Sequence, residues 1–478
     1  MKKEKLHEKV VFKNMRELVE WIGNTYGEKI AYSYRKDPVK GAIISKSFVQ
    51  MRDDIRALAT KLVEMGCTGK KSVIFGKYSY EWIVMYFSVL SIGGILVPLD
   101  KDWQGEDLAE TALTAEADFV FCDKELTEKA GKIAEKVKLF TTPCYLNAEE
   151  SEENSVAGLI TAGKAMFEAS QDAYFNAVID PLALGLLVFT SGTTGKGKGV
   201  MLSQNAILED MSDVIPYIDF GNKTLGLLPL HHTYGSSVMI VGHAMIGCEV
   251  YISSGLRYIM KELKEQQPEH LVLVPLYIEN FYRKILANAK DTGKEKTLFK
   301  MMKISNFLRK FGIDLRRKFF KSVLAAFGGK VKMIISGGAP VNPDIIYFFE
   351  SIGIRSLNGY GITECAPIIA VNRSMRTVEG SVGVVLDIDQ VRIDEPNEDG
   401  EGEILVKGPN VMLGYYKDEK TTAEVFTEDG YFRTGDYGKL EGDVIYITGR
   451  KKNLIILSNG KNVYPEEIEN ELSATPGI

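Results

Sequence analysis

The stretch Thr190–Gly199 reads TSGTTGKGKG and combines what a phosphate-binding loop needs. Gly192, Gly195, Gly197 and Gly199 free the backbone, so that N–H groups can turn inward and approach a ligand closely. Thr190, Ser191, Thr193 and Thr194 add hydroxyls, and Lys196 and Lys198 add positive charge. A flexible glycine turn would not need hydroxyls and lysines at this density. Gly192 to Lys198 also spells G-x-x-x-x-G-K. A P-loop NTPase then requires Ser or Thr to hold magnesium, and Gly199 stands in that place. The P-loop is therefore the poorer reading. The apolar run LLVF leads into the loop, and MLSQNAILEDM behind it reads as helix.

Further segments carry groups with their own chemistry. LPLHHTYG, Leu228–Gly235, offers His232, although a lone histidine is more often a satisfied core group. SGGAPV, Ser336–Val341, is a tight turn containing Gly338, Ala339 and Pro340. NGYGITE, Asn358–Glu364, combines a flat ring suited to a purine face, Tyr360, with a hard carboxylate suited to magnesium, Glu364. Taken singly, Tyr360 reads as core and Glu364 as a surface charge. YFRTGD ends at Asp436, whose carboxylate can accept from two vicinal hydroxyls such as a ribose presents. GRKK, Gly449–Lys452, supplies Arg450 and Lys452, and NGKNVYPEEIE follows with Gly460.

In this order, from roughly Phe48 to the end, the segments resemble the adenylate-forming (AMP-binding) superfamily of acyl-CoA synthetases, luciferases and amino-acid adenylation domains. The family's loop usually ends T-G-x-P-K-G; here Gly197 replaces the proline and Lys198 is kept. The resemblance implies that Thr190, Ser191, Gly192, Thr193, Thr194, Gly195 and Lys198 hold the phosphates of ATP. It implies that Gly338, Ala339, Pro340, Asn358, Gly359, Tyr360 and Gly361 surround the adenine, and that Thr363 touches a phosphate oxygen. Asp436 would clamp the ribose, Arg450 would contact the nucleotide, and Gly460 would lie along the pantetheine arm of CoA. Catalytic roles fall to Lys198, Thr194, Glu364, His232 and Lys452. Glu364 and Thr194 would hold Mg²⁺, His232 would sit beside the substrate carboxylate, and Lys452 would be a hinge.

The implied reaction has two halves: a carboxylic acid and ATP give acyl-AMP and pyrophosphate, then a thiol displaces AMP. HHTYGSS lacks the aspartate that pairs an amino-acid substrate's amine in adenylation domains, which disfavours an α-amino acid. Met239, Ile240, Val241, Gly242 and Met245 make the neighbourhood apolar, and the basic insertion before SGGAP resembles the long-chain fatty-acid branch. A medium- or long-chain fatty acid is the expected substrate. The acceptor is CoA, or alternatively the pantetheine of an acyl carrier protein. The sequence stops at Ile478, so the resemblance implies that the family's small C-terminal domain, with its late lysine, is largely absent. Adenylation by this stretch is then expected to be impaired, and a fold that only binds nucleotide and acyl groups is the alternative.

These segments need a scaffold. Short β-branched runs alternate with helical patterns: SVIF near Val73, DFVFC near Phe119, LLVFTS near Val188, EVYIS near Tyr251, LVLVP near Val272 and KMIIS near Ile334. Ser47 to Met65 repeats Met51, Ile55, Leu58, Leu62 and Met65 at helical spacing until Gly66 stops it. The expected fold class is α/β: mainly parallel sheets with crossover helices. After about Gly380, close-set strands predict an antiparallel β subdomain over 380–450, open or closed into a small barrel. The expected division is a large domain over 1–450, then 451–478 as hinge and the start of a truncated α+β C-terminal domain.

The remaining composition bounds partners and location. A net charge of −6 argues against broad nucleic-acid binding. Five scattered cysteines, Cys67, Cys122, Cys144, Cys248 and Cys365, form no C-x-x-C pair and point to a reducing, cytoplasmic compartment. The charged N-terminus lacks a signal peptide's apolar core. Trp82 to Leu99 carries no charge, but Gly93, Gly94 and Pro98 interrupt it, which predicts a buried helix, a turn and a buried strand. Residues 283–332 interleave cations with Leu298, Met301, Phe307, Phe319, Phe320 and Leu324. They read as two amphipathic helices with solvated basic faces, or as a surface for peripheral contact with anionic lipid or an acidic partner.

Overall fold

The computed structural model describes residues 4–139, 142–152, 154–190 and 197–453, with 455–456, 462–463 and 465 beyond them. The uncharged stretch folds as expected, into helix Tyr80–Ser91 and strand Ile95–Pro98. Ser79 caps that helix by accepting from the Trp82 N–H. Eleven of its residues, from Tyr80 and Trp82 to Ser91, are buried, so the helix is apolar on every side. Helix Phe48–Glu64 packs beside it and opens on a capping box between Ser47 and Gln50.

A seven-stranded sheet carries the phosphate-loop segment. Its spatial order is Gly414–Tyr415, Lys198–Ser203, Leu184–Thr190, Ile95–Pro98, Lys71–Phe75, Phe119–Cys122 and Cys144–Tyr145. The last five strands run parallel. Val73, Ile74, Phe75, Phe121 and Leu187 are fully buried, and strands covered on both faces read as unbroken apolar runs.

The other end of this sheet differs from the expected strand–loop–helix. Lys198–Ser203 is a strand paired antiparallel with Leu184–Thr190, with Thr190 opposite Lys198. The helix starts only at Gln204, capped by Ser203. The helix expected over MLSQNAILEDM therefore loses Met201 to Ser203 to the sheet, where a buried neighbouring strand satisfies their backbone groups. The segment joins two antiparallel strands, unlike a P-loop, which passes from strand to helix.

A nine-stranded sheet carries most of the other candidates. Strands His270–Leu273, Met333–Ser336 and Arg355–Gly361 run parallel. Ile368–Val371, Gly383–Val385, Val444–Arg450, Phe432–Glu441, Gly402–Lys407 and Gln390–Asp394 continue it antiparallel. The antiparallel strands are thus continuous with the parallel ones, and antiparallel pairing begins at Ile368, ahead of Gly380. The sheet is open, with His270–Leu273 and Gln390–Asp394 as its outer strands, so the barrel closure does not occur. A four-stranded sheet, ordered Ile43–Ser47, Ile30–Arg35, Glu249–Ile252 and Lys223–Gly226, completes the main body. Ile455–Ile456 and Asn462–Val463 form a separate antiparallel pair.

The basic segment folds as helices Pro275–Asp291 and Glu295–Arg309, followed by one-turn helices Arg316–Phe319 and Lys321–Ala325. Leu298, Phe320 and Leu324 join a core with Phe281, Phe327, Phe348 and Phe349. Among the described residues, no helix is long and apolar enough to cross a membrane.

Candidate active site

Three parallel strands end at one level. Register places Leu273 beside Ser336 and Ser336 beside Asn358. Ligand crevices in open α/β sheets form outside such carboxyl ends. The turn after Ser336 leaves Gly338, Ala339 and Pro340 exposed, with Gly338 at φ +86°. Next to it, Asn358, Gly359, Tyr360 and Gly361 are half-buried. Ser336 Oγ and Asn358 Oδ1 are buried without a hydrogen-bond partner among the described residues. Buried polar atoms are seldom left so, and two together at strand ends suit a polar planar ligand.

Tyr360, Asp436 and Arg450 form one cluster. The Tyr360 hydroxyl donates to Asp436 Oδ2 at 2.8 Å. Asp436 faces Arg450 across the ladder, and Arg450 Nε lies 3.4 Å from Asp436 Oδ1. Asp436 is 6% exposed, and burial raises its pKa against the opposing pull of Tyr360 and Arg450. Thr434 Oγ1 accepts from the Asp436 N–H, and Glu403 accepts from the Gly435 N–H and from Lys451, which fixes this corner of the strand. Lys452 is exposed, one residue beyond Lys451.

Glu364 belongs to a second cluster. It lies in the turn Thr363–Cys365 after strand Arg355–Gly361. The Tyr415 hydroxyl donates to Glu364 Oε1 at 2.8 Å, and Lys198 Nζ sits 4.8 Å from the centre of the Tyr415 ring. Burial and the neighbouring Glu364 push the Tyr415 phenol upward, so it remains a donor. Tyr415 is a residue the sequence reading missed. It reaches the site because Gly414–Tyr415 pairs with Val200 and Met201, next to Lys198. Lys198, Glu364, Tyr360 and Asp436 thus occupy one connected region.

Gly361 has a tighter role than backbone freedom for a ligand. A Cβ there would lie 1.9 Å from Pro367 O, the carbonyl that accepts from the Ile362 N–H at 2.8 Å. Gly361→Ala is expected to force the Glu364 turn away from its strand, costing about 1–3 kcal/mol as overpacking usually does. A lowered thermal midpoint together with weaker ATP binding checks this; an unchanged midpoint would refute the close-approach argument. Behind the turn, Asp210 accepts from the Ile368 N–H, and Asn410 donates to Ile368 O and to Asp389. Burial raises both carboxyls, Asp389 to about 8.

His232 lies apart from these clusters, in the segment leading to a π-helix, Tyr234–Gly242. His232 is exposed, yet the protein around it desolvates the ring enough to lower its pKa. Its neighbour His231 packs against it with the rings tilted and their centres 4.1 Å apart, and lies 3.7 Å from Asp100. Gly337 approaches the Tyr234 ring so closely that a Cβ would be 3.0 Å from it, which brings the His232 segment against the SGGAP turn. Met239, Ile240 and Val241 are fully buried and Met245 nearly so. Ser191, Gly192, Thr193, Thr194, Gly195 and Gly460 lie outside the described residues.

Among the described residues one trio, His243, Cys248 and His270, offers ligand atoms within 4.8 Å of one another. Its hydrogen bonds argue against a metal. The Gly221 N–H donates to His270 Nδ1, which assigns the proton to His270 Nε2 and directs it to His243 Nε2 at 2.9 Å. His243 Nδ1–H then donates to Val238 O at 2.7 Å, inside the π-helix. A metal on both Nε2 atoms would set a His270 Nδ1–H against the Gly221 N–H. Burial pushes both imidazoles down, His243 to about 4. The unfolded chain therefore binds protons that the fold refuses below about 6.5, and stability falls as pH drops from there toward about 4. Asp389 acts in the opposite sense between its ordinary value and about 8, so parent and variant are compared. His243→Gln is expected to flatten the acid slope of the thermal midpoint between pH 7 and 5, roughly the range of histidine titration. An unchanged slope excludes the pair as its source.

Residues 19–416 match the AMP-binding enzyme family. The long-chain-fatty-acid–CoA ligase FadD15 of Mycobacterium bovis is 28% identical over 467 residues, covering 92% of this chain and 75% of the relative. The long-chain-fatty-acid–[acyl-carrier-protein] ligase AEE15 of Arabidopsis thaliana is 27% identical over 521 residues, covering 93% and 71%. In fold, the chain resembles ATP-bound MatB from Rhodopseudomonas palustris, with a TM-score of 0.74 and 24% identity over 97% of this chain and 84% of that one. The family match spans most of the strands that converge on the clusters around Glu364 and Tyr360, and the chain belongs to the AMP-binding enzymes.

Proposed function

We propose that this acyl-adenylate-forming ligase activates a medium- or long-chain fatty acid with ATP and passes the acyl group to the thiol of CoA. The observation that carries the reading is the convergence of Lys198, Glu364, Tyr360 and Asp436 on one region at the carboxyl ends of parallel strands. Tyr360 offers a flat face to adenine and Asp436 an acceptor pair to ribose. Lys198, with Thr190 opposite it at the loop's other end, faces the phosphates. Thr194 and Glu364 would hold Mg²⁺, and the hard oxygen of Glu364 left free by Tyr415 fits that ion. When bound, the ion neutralises phosphate charge.

In the first half a substrate carboxylate oxygen forms a bond to the α-phosphorus, the bond to the β-phosphate oxygen breaks, and pyrophosphate leaves. Lys198 and Thr363 position the phosphates, and His232 orients the carboxylate. In the second half the thiol sulfur attacks the acyl carbon, and AMP leaves with the electron pair of the mixed anhydride. Residues 1–450 act as the large domain, its antiparallel part over about 380–450. Residues 451–478 begin the small domain, with Lys452 as pivot between the halves. Arg450 would touch the nucleotide, and Gly460 is assigned to the pantetheine arm by the resemblance alone.

The apolar character of the π-helical segment beside His232, which contains the buried Met239, Ile240 and Val241, supports an aliphatic acid. Each buried methylene contributes about 0.8 kcal/mol, so decanoate should exceed acetate by more than about a hundredfold in kcat/KM for pyrophosphate exchange into ATP. Benzoate turned over as well as decanoate would overturn the fatty-acid reading. ATP binding without exchange for any acid would point to a binding role instead. The likeness to the plant carrier-protein ligase favours a second acceptor. Transfer from acyl-AMP to holo-acyl carrier protein faster than to CoA would select it.

A further inference from the structure

We propose that helix Glu295–Arg309 lies on an anionic membrane surface, its outward face set into the headgroup layer. Leu298, Met302 and Ser305 turn to the core and fix which side faces out. On the opposite side Phe299, Lys303 and Phe307 follow one another at four-residue spacing, with Lys300 and Ile304 between them. Phe307 is 59% exposed and Phe311, just past the helix, 68%. Their rings pack edge to face at 5.2 Å, so they present one apolar wedge to solvent.

Charge selects the occupant. From Lys296 to Ile313 the chain holds five cations and no acid, although its net charge is −6. Among the described residues none of the five has an ion-pair partner within 4.0 Å. Several surface lysines elsewhere are paired, as Lys132 is with Glu106 and Lys136 with Glu110. The lysines here do not rim an apolar patch; they interleave with its rings. The core of a protein–protein interface is depleted in lysine, because the ammonium would lose its water. A headgroup layer imposes no such cost: phenylalanine enters the acyl boundary while lysine extends its stem and keeps its charge among lipid phosphates. The inference does not depend on which acid the enzyme activates.

Sedimentation of the full chain with phosphatidylcholine vesicles, with and without phosphatidylglycerol, tests this. Binding is expected only to the anionic vesicles and is expected to weaken with salt. Lys300→Glu with Lys303→Glu should lower the partition coefficient by more than about tenfold. Phe307→Asp should do likewise with salt held constant. All three side chains are exposed, so thermal midpoints should stay at the parent value. Failure of the parent to bind anionic vesicles overturns the proposal, and so does parent-like binding by both variants. Retention on immobilised polyglutamate with no vesicle binding overturns it in favour of an acidic protein partner.

Discussion

Asp436→Ala is expected to lower kcat/KM for ATP in pyrophosphate exchange by about 10²–10⁴. The size follows from two charge-assisted hydrogen bonds to ribose hydroxyls, each contributing about 1.5–3 kcal/mol. The carboxylate is held for that task. Tyr360 donates to one oxygen at 2.8 Å and Arg450 lies 3.4 Å from the other, so both oxygens keep a fixed direction. Burial keeps water from competing. Asp436→Asn retains the shape and one acceptor, so its loss should be smaller and should fall mainly on KM for ATP. The raised pKa adds a pH signature. The group that accepts from ribose must be ionised, so KM for ATP should rise as pH falls, starting above the range of an ordinary carboxylate. Asp436→Asn should lack that rise. Asp436→Ala with a KM for ATP close to the parent's, and a flat pH profile in the parent, would remove Asp436 from the nucleotide site.

Some of this site is legible in the sequence because the signals are local. SVIF and DFVFC stand out as buried strands, since parallel strands covered on both faces need no polar alternation. Helix Phe48–Glu64 announces itself by its periodicity and its Ser47 cap. Other features come from pairings between distant residues. Lys198–Ser203 is a strand because Leu184–Thr190 lies beside it, while Met201 and Leu202 would suit either period. Ile368–Val371 is as apolar as a parallel strand, so composition could not reveal that antiparallel pairing starts there. The π-helix over Tyr234–Gly242 has no sequence period of its own to distinguish it from a buried helix. Tyr415 was illegible for the same reason. Nothing in GYY marks a tyrosine as a partner of Glu364 until the edge strand docks on Val200.

Tyr415 makes the second large prediction a paired one. Glu364→Gln is expected to lower kcat for pyrophosphate exchange by about 10²–10³, the usual loss when one preorganised charge-stabilising group is removed. The amide keeps the volume and can still accept from Tyr415, so the fold should hold and KM for the acid should change little. Tyr415→Phe removes only the hydrogen bond that orients Glu364 Oε1 and leaves the ring under Lys198. Its loss should be nearer tenfold, since a single oriented hydrogen bond contributes about 0.5–1.5 kcal/mol. The two effects should not add. Once Glu364 has lost its charge, a tyrosine that acts only by orienting that charge has little left to do, so the double variant should match Glu364→Gln. The Mg²⁺ dependence supplies a readout that packing alone would not move: Tyr415→Phe should raise the Mg²⁺ concentration for half-maximal rate, and Tyr415→Leu should add a loss of Lys198 placement. Full additivity, with an unshifted Mg²⁺ requirement in Tyr415→Phe, would show that Tyr415 supports the strand edge and not the carboxylate.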